Sequence, residues 1–183
     1  MKTLLSSLRL LAVLTVLTGL VYPLAVWVVG RAFFRNAAEG SLLRQNGRVV
    51  GSALLAQKTT DPRYFWPRPS AGDYATVASG ASNLAWTSAK LADAVADRRA
   101  QFGGGQVPAD LLTASGSGLA PDLSPEAVHA QLPRVTLARG LTGLQQHALD
   151  DLIARRIEGG HISPARINVL RLNLDLDQAF PSP

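Results

Sequence analysis

The sequence contains no cysteine, which removes disulfides, thiolate nucleophiles and cysteine metal sites together and is compatible with either side of a membrane. Histidine is scarce. His129, His147 and His161 are the three present, and none pairs with another at i, i+3 or i+4, so a histidine metal site has little to work with. Each reads as a surface or partly buried residue. Gly103-Gly104-Gly105-Gln106 lacks the following Gly-Lys-Ser/Thr of a phosphate loop and reads as a linker. A hydrolase elbow requires Gly-x-Ser-x-Gly, whereas Ser117 has glycine on both sides, and no ordered histidine and carboxylate can be nominated beside it or Ser115. That run reads as a structural turn, or as a Gly/Ser loop whose N–H groups contact an anion or a partner. The formal charge of +5 on 183 residues is mild and scattered, so no nucleic-acid footprint is visible.

What is present is one long apolar run. Leu10 to Gly30 carries no charge between Arg9 and Arg31. As a helix it covers roughly 31 Å, close to the ~30 Å hydrocarbon core of a bilayer. Its apolar residues leave no wet face. It exceeds the about 7 to 15 residues of a signal-peptide core, so a retained anchor is expected. Tyr22 and Trp27 suit an interfacial half, and Pro23 is tolerable within a membrane helix. Leu10 opens the span. Gly19, Pro23 and Gly30 mark either a packing face against other helices or nothing more than a tether. Lys2 and Arg9 oppose Arg31, Arg35, Arg44 and Arg48, which leaves orientation unsettled. The expected organisation is a tail over 1–9, a transmembrane helix over 10–30 and one soluble domain over 31–183.

Arg31, Arg35, Glu39 and Arg44 are spaced for one face of a continued helix, ended by a turn at Asn46-Gly47. Val49 to Ala56, with Gly51 and Ser52 inside it, predicts a short strand with a bulge or close backbone approach. Tyr64-Phe65-Trp66-Pro67-Arg68-Pro69-Ser70 cannot be helix, because Pro67 and Pro69 push the preceding residues toward extended conformations. It is either a docking surface or a loop packed on the core. Packing is the safer reading for two of its rings, with a partner contact for the third and for Arg68. Residues 71–81 read as an irregular loop. A helix is expected from Ser82-Asn83, with Leu84, Leu91 and Val95 inward and Arg98 and Arg99 at its end.

Ser124-Pro125-Glu126 is a helix start. Pro133 is expected to interrupt that helix, with another around Arg134 to Arg139 ended by Gly140. Thr142-x-x-Gln145 makes a capping box for a helix with Leu144, Ala148 and Leu152 on its apolar face. Leu170 to Asp177 alternates apolar and polar without a fault and predicts a central strand. The fold class is therefore α+β behind one transmembrane helix.

Several stretches, in order behind the single span, resemble the C subunit of the Kdp-type potassium-transporting ATPase. They are Gly51-Ser52-Ala53-Leu54-Leu55-Ala56-Gln57, Tyr64-Phe65, Pro67-Arg68-Pro69-Ser70-Ala71, Ser82-Asn83-Leu84 and Val107-Pro108-Ala109-Asp110-Leu111. Ala114-Ser115-Gly116-Ser117-Gly118-Leu119, Gln131-x-Pro133-Arg134-Val135, Ala138-Arg139-Gly140-Leu141 and Asn168-Val169-Leu170-x-Leu172-Asn173 complete the set. The sequence departs from that pattern at Trp66, where histidine is usual, and at Ala120 and Asp122, where Asp and His are usual.

The resemblance implies a non-catalytic subunit of a high-affinity potassium pump in the bacterial inner membrane, with its large domain periplasmic. Implied partners are a channel-like potassium-translocating subunit, a P-type ATPase subunit that hydrolyses ATP, and a small single-span subunit, besides membrane lipid. No Asp-Lys-Thr-Gly occurs in the chain, in agreement. Tyr64, Phe65, Arg68, Asn83, Ser115, Ser117 and Asn173 are the implied partner contacts. The family also carries a proposal of assisted ATP binding, which would fall on Leu141-Thr142-Gly143-Leu144-Gln145 with Gln145 as the assisting residue. The capping box already explains Thr142 and Gln145, and a periplasmic domain is separated from cytosolic ATP by the bilayer. Assembly and stabilisation of the complex is the favoured role. The alternatives are a membrane-anchored periplasmic binding or chaperone module and an anchored enzyme, the last lacking a triad or metal constellation.

Overall fold

The apolar run is helical throughout in the computed structural model, which describes residues 2–181. Helix α1 (Lys2–Val16) passes through one π-helical turn (Leu17–Val21) into α2 (Tyr22–Phe33), and Lys2–Phe33 is long and apolar enough to cross a membrane. None of its residues is buried. The chain divides into two compact units, Met1–Leu42 and Leu43–Pro183.

The expected continuation of the helix through residues 31–47 does not occur. Phe34 leaves helical geometry (φ −130°, ψ 39°), a single turn α3 (Arg35–Ala38) follows, and Arg44 lies in strand β1 (Leu42–Gln45). Arg31 and Arg35 instead converge on Glu39, at 3.2 and 3.0 Å.

In the second unit Asn46 and Gly47, both at positive φ (51° and 76°), form the tight turn joining β1 to β2 (Arg48–Ser52). Two positive φ values in a row suit the twist of a two-residue hairpin. The strand ends earlier than expected, at Ser52, because the Ser52 hydroxyl and carbonyl accept from Leu54 and Leu55 N–H and close a turn. At Gly51 the expected close approach is present: a Cβ there would lie 2.5 Å from the Gln57 amide and 2.7 Å from a Leu170 methyl.

Helix α4 (Ala89–Gln101) begins later than Ser82-Asn83, since Asn83 sits in the left-handed region (φ 51°) and Leu84 is exposed. Leu91 and Val95 are half-buried, as expected. The short α5 (Ala109–Leu112) buries Leu111 and Leu112. Strand β3 (Asp122–Leu123) pairs antiparallel with β4 (Ile167–Asn168), Leu123 facing Ile167 in register.

The Ser124 hydroxyl caps α6 (Pro125–His129) by accepting from Ala127 N–H. Pro133 lies in the first turn of α7 (Leu132–Arg139), where its missing N–H costs nothing, and Gly140 ends that helix at φ 63°. In α8 (Gly143–Arg155) the buried residues are Leu149 and Ile153; of the expected apolar face Leu152 packs half-buried against the core, while Leu144 and Ala148 are exposed.

The largest correction is the final element. Val169–Ala179 is helix α9, not a strand. Its buried residues Val169, Leu172 and Leu176 follow helical spacing, and the Asn168 carboxamide caps it by accepting from Arg171 N–H at 3.1 Å. Leucine is a strong helix former, and alternate leucines also cover a broad helical arc. Here Leu170 and Leu174 flank the buried stripe. Helices α6 to α9 surround a core of Phe65, Leu123, Val128, Val135, Leu149, Ile153, Ile167, Leu172 and Leu176. The fold class α+β stands, with helices and two short two-stranded sheets rather than a central strand.

Candidate functional site

The aromatic-proline segment is the extended spine on which this domain is assembled. Among the described residues its main chain meets no strand; the side-chain amides of Asn173 and Gln131 take a strand's place. Asn173 of α9 accepts from Phe65 N–H and donates to Phe65 C=O, both at 2.9 Å. Gln131, between α6 and α7, accepts from Trp66 N–H at 2.8 Å and donates to Trp66 C=O at 3.1 Å. A carboxamide carries a donor and an acceptor side by side, as a peptide does, so it can satisfy both main-chain groups of one residue. Gln131 is fully buried and uses its remaining capacity on Arg134 and the Ala127 carbonyl.

Two arginines of α7 fasten the same segment. Arg134 donates to the Pro62 and Tyr64 carbonyls at 2.7 and 3.0 Å, and its guanidinium lies 3.8 Å from the centre of the Trp66 ring. Burial pushes its pKa down to about 10, which leaves it charged at neutral pH. Arg139, only 2% exposed at its side chain, donates to the Arg63 and Phe180 carbonyls and pairs with Asp177 at 2.7 Å. The Tyr64 hydroxyl donates to the other Asp177 oxygen at 3.0 Å; burial, reinforced by that carboxylate, raises the phenol's pKa. At the segment's start, hydrogen bonds from Arg63 hold Asp61 down to about 2.

The Gly/Ser run docks alongside. Ser115 N–H donates to the Pro69 carbonyl at 3.0 Å, and Ser115 is buried. Gly118, at φ 71°, approaches so closely that a Cβ would sit 2.9 Å from the Gly80 carbonyl oxygen. Arg68 donates to Thr113 Oγ1 at 3.2 Å and lies 3.7 Å from the Asp110 carboxylate, while its own carbonyl accepts from the Tyr74 hydroxyl.

The sequence-nominated residues thus separate. Phe65 is a core residue, fully buried, and Asn173 and Arg68 spend their polar groups within the domain. Ser117 and Asn83 are exposed, and Tyr64 is half-buried. Gln145 is exposed, with its Oε1 accepting from Thr142 N–H at 2.9 Å and from the Thr142 hydroxyl at 3.1 Å, so the cap expected at α8 is formed. A cavity of ≈ 200 Å³ opens beside the segment, lined by Val50, Leu55, Tyr64, Leu170, Leu174 and Asp177 among others. Its Tyr64 and Asp177 groups are bonded to each other rather than free for chemistry.

Comparison with known proteins decides the lineage. A family model described as "KdpC: K+-transporting ATPase, c chain" matches residues 4–178. The chain belongs to this family. Among its relatives, the potassium-transporting ATPase KdpC subunit of Sorangium cellulosum is 48% identical across 94% of this chain and 96% of its own length. The KdpC subunit of Rhodospirillum rubrum is 47% identical across 99% and 98% of the two chains, and that of Leptospira interrogans 44% identical across 95% and 93%.

Within this chain, no local sequence signal marks a role for Gln131, Arg134, Arg139 or Asp177. Gln131, Arg134 and Arg139 lie in family-like stretches, but nothing local in a helix records which distant carbonyl its side chain will reach. At two of the departures the substituted side chains are in use. Trp66 stacks under Arg134 and donates from Nε1 to the Asp61 carbonyl at 2.9 Å. Asp122 accepts from Asn168 Nδ2 at 3.1 Å.

Proposed function

We propose that this chain is the non-catalytic subunit of an ATP-driven potassium uptake pump, and that it assembles and stabilises the complex between a potassium-translocating and an ATP-hydrolysing subunit. A small single-span subunit completes the set of partners. The span crosses the bacterial inner membrane once, and the second unit is periplasmic. The observation that carries this reading is the use made of the polar groups in the family-like stretches. Asn173, Gln131, Arg134 and Arg139 are committed to fixing the main chain of residues 62–66, which suits a rigid docking scaffold and leaves no convergent reactive set among the described residues.

The faces such a scaffold would offer are the exposed Pro62 and Arg63, the tip of the Gly/Ser loop at Gly116 and Ser117, and Asn83. Assistance of ATP binding through Leu141 to Gln145 has weaker support, because Gln145 serves the start of α8. The test is a mild-detergent pull-down of the full chain from potassium-starved cells, with co-purifying proteins identified by mass spectrometry. Recovery of a P-type ATPase with a channel-like subunit is expected. A folded chain recovered alone would overturn the proposal.

A further inference from the structure

The membrane span contains an acceptor surplus that its own main chain cannot resolve. In the π-helical turn Leu17–Val21 two successive N–H groups reach five residues back: Val21 serves the Val16 carbonyl that caps the turn, and Tyr22 N–H serves Leu17. Helix α2 then starts with the Val21 carbonyl as its cap, which takes the N–H of Ala25. Between these bonds lie the carbonyls of Thr18, Gly19 and Leu20. The donors left for them are residues 23 and 24, and Pro23 has no N–H. Leu24 can serve one carbonyl, so two of the three have no main-chain donor.

Side chains do not repair the deficit. The Thr18 hydroxyl donates backwards to the Leu14 carbonyl at 2.7 Å, and among the described residues no side chain donates to any of the three carbonyls. The helix surface beside them is bare at Gly19, which has no side chain and nothing within 4 Å of where its Cβ would be. In hydrocarbon an unpaired carbonyl costs several kcal/mol, a debt that lipid tails, which carry no donors, cannot relieve.

We infer that the face of the span around Thr18, Gly19 and Pro23 is a helix–helix contact, and that its occupant is a neighbouring membrane helix of the same complex presenting hydroxyl or carboxamide donors to the two uncommitted carbonyls. The inference rests on the reading of the chain as a complex subunit, and it identifies which part of the span meets the partner and by what chemistry. Small residues and a widened turn let the donor helix come close, as at other membrane helix contacts.

The chain has no cysteine, so single cysteines at 11–29, omitting Gly19 and Pro23, can be spin-labelled uniquely in a complex whose other subunits are made cysteine-free. Accessibility to oxygen (lipid) and to an aqueous nickel reagent (water) is then read at each position, in the complex and in the chain alone in bicelles. Protection from both reagents on the Gly19/Pro23 face in the complex, with oxygen access returning in the isolated chain, is expected. Oxygen access on that face within the complex, nickel access there, or dipolar coupling between two copies of the isolated chain would each overturn the inference, in favour of lipid, water or a second copy respectively. Pro23→Ala supplies one donor, and retention of the partner subunits in detergent should fall about threefold, the scale of one interhelical hydrogen bond; unchanged retention would also overturn it. Failure to recover any complex would overturn this inference and the assembly reading together, whereas an intact complex with a lipid-facing Gly19 overturns this inference alone.

Discussion

Asn173 holds both ends of one peptide residue: its Oδ1 accepts from Phe65 N–H and its Nδ2 donates to Phe65 C=O, each at 2.9 Å, although 108 positions separate the two in sequence. The last helix is thereby pinned to the aromatic segment by a side chain acting as a strand. Asn173→Leu removes both bonds and strands two partly buried main-chain groups, a loss of roughly 2–4 kcal/mol on the usual cost of unsatisfied groups. Asn173→Asp keeps the acceptor and should lose about half as much. Urea unfolding of the full chain in detergent measures both; equal stability of Asn173→Leu and the wild type would refute the clamp.

Helix and strand readings of residues 170–176 make different forecasts for the four leucines. A strand would place all four on one face, whereas α9 buries Leu172 and Leu176 and leaves Leu170 and Leu174 half-exposed. Leu172→Ala and Leu176→Ala should each cost about 2–5 kcal/mol, and Leu170→Ala and Leu174→Ala roughly 1 kcal/mol. Thermal or urea midpoints of the four variants separate the patterns.

Two glycines of one loop should respond very differently to a methyl group. Gly118→Ala forces a side chain into φ 71° and against the Gly80 carbonyl, and should destabilise by about 1–3 kcal/mol. Gly116→Ala meets open space and should change stability by less than about 0.5 kcal/mol. Calorimetry on both variants checks the contrast, and retention of partner subunits by each reports whether the loop's shape matters for assembly.

Acid should act through Asp61. Its pKa is lowered in the folded protein from 3.8 to about 2, chiefly by the side-chain hydrogen bond from Arg63. The unfolded state therefore binds the proton first as pH falls, so Asp61's contribution to stability is complete above the unfolded value of 3.8 and is lost as pH drops through about 2. Asp61→Asn should lose less stability than the wild type between pH 5 and pH 2.5. The carboxylate is near the surface, so the difference should be small and shrink further in salt. Urea midpoints at the two pH values decide it.

Local sequence specifies structure where local chemistry dominates. The turn at Asn46-Gly47, the caps at Ser124 and Thr142 and the stop at Gly140 each depend on a few adjacent residues. Helix α4 starts later than its local signals imply, because nothing around Ser82-Asn83 reveals that Asn83 adopts φ 51°. Residues 170–177 misled because their alternation satisfies a period of two, while the Asn168 cap, leucine's helix preference and burial of the 169/172/176 stripe jointly favour a helix. The site was half legible: the aromatic-proline segment stood out by composition, but its clamps did not.

The sequence by itself determined a single apolar span, the want of cysteine and of nucleophile or phosphate-loop motifs, the helix stops and starts, and a family likeness along nearly the whole chain. These follow from short-range rules, in which length, capping and backbone freedom are properties of neighbouring residues. Tertiary structure alone decided that Phe65 is core, that Gln131 and Asn173 replace a missing strand, that Arg134 and Arg139 staple residues 62–64, and that the final alternating run is a helix. Those outcomes depend on which main-chain groups are left unpaired when distant segments are buried together, and no local pattern encodes that.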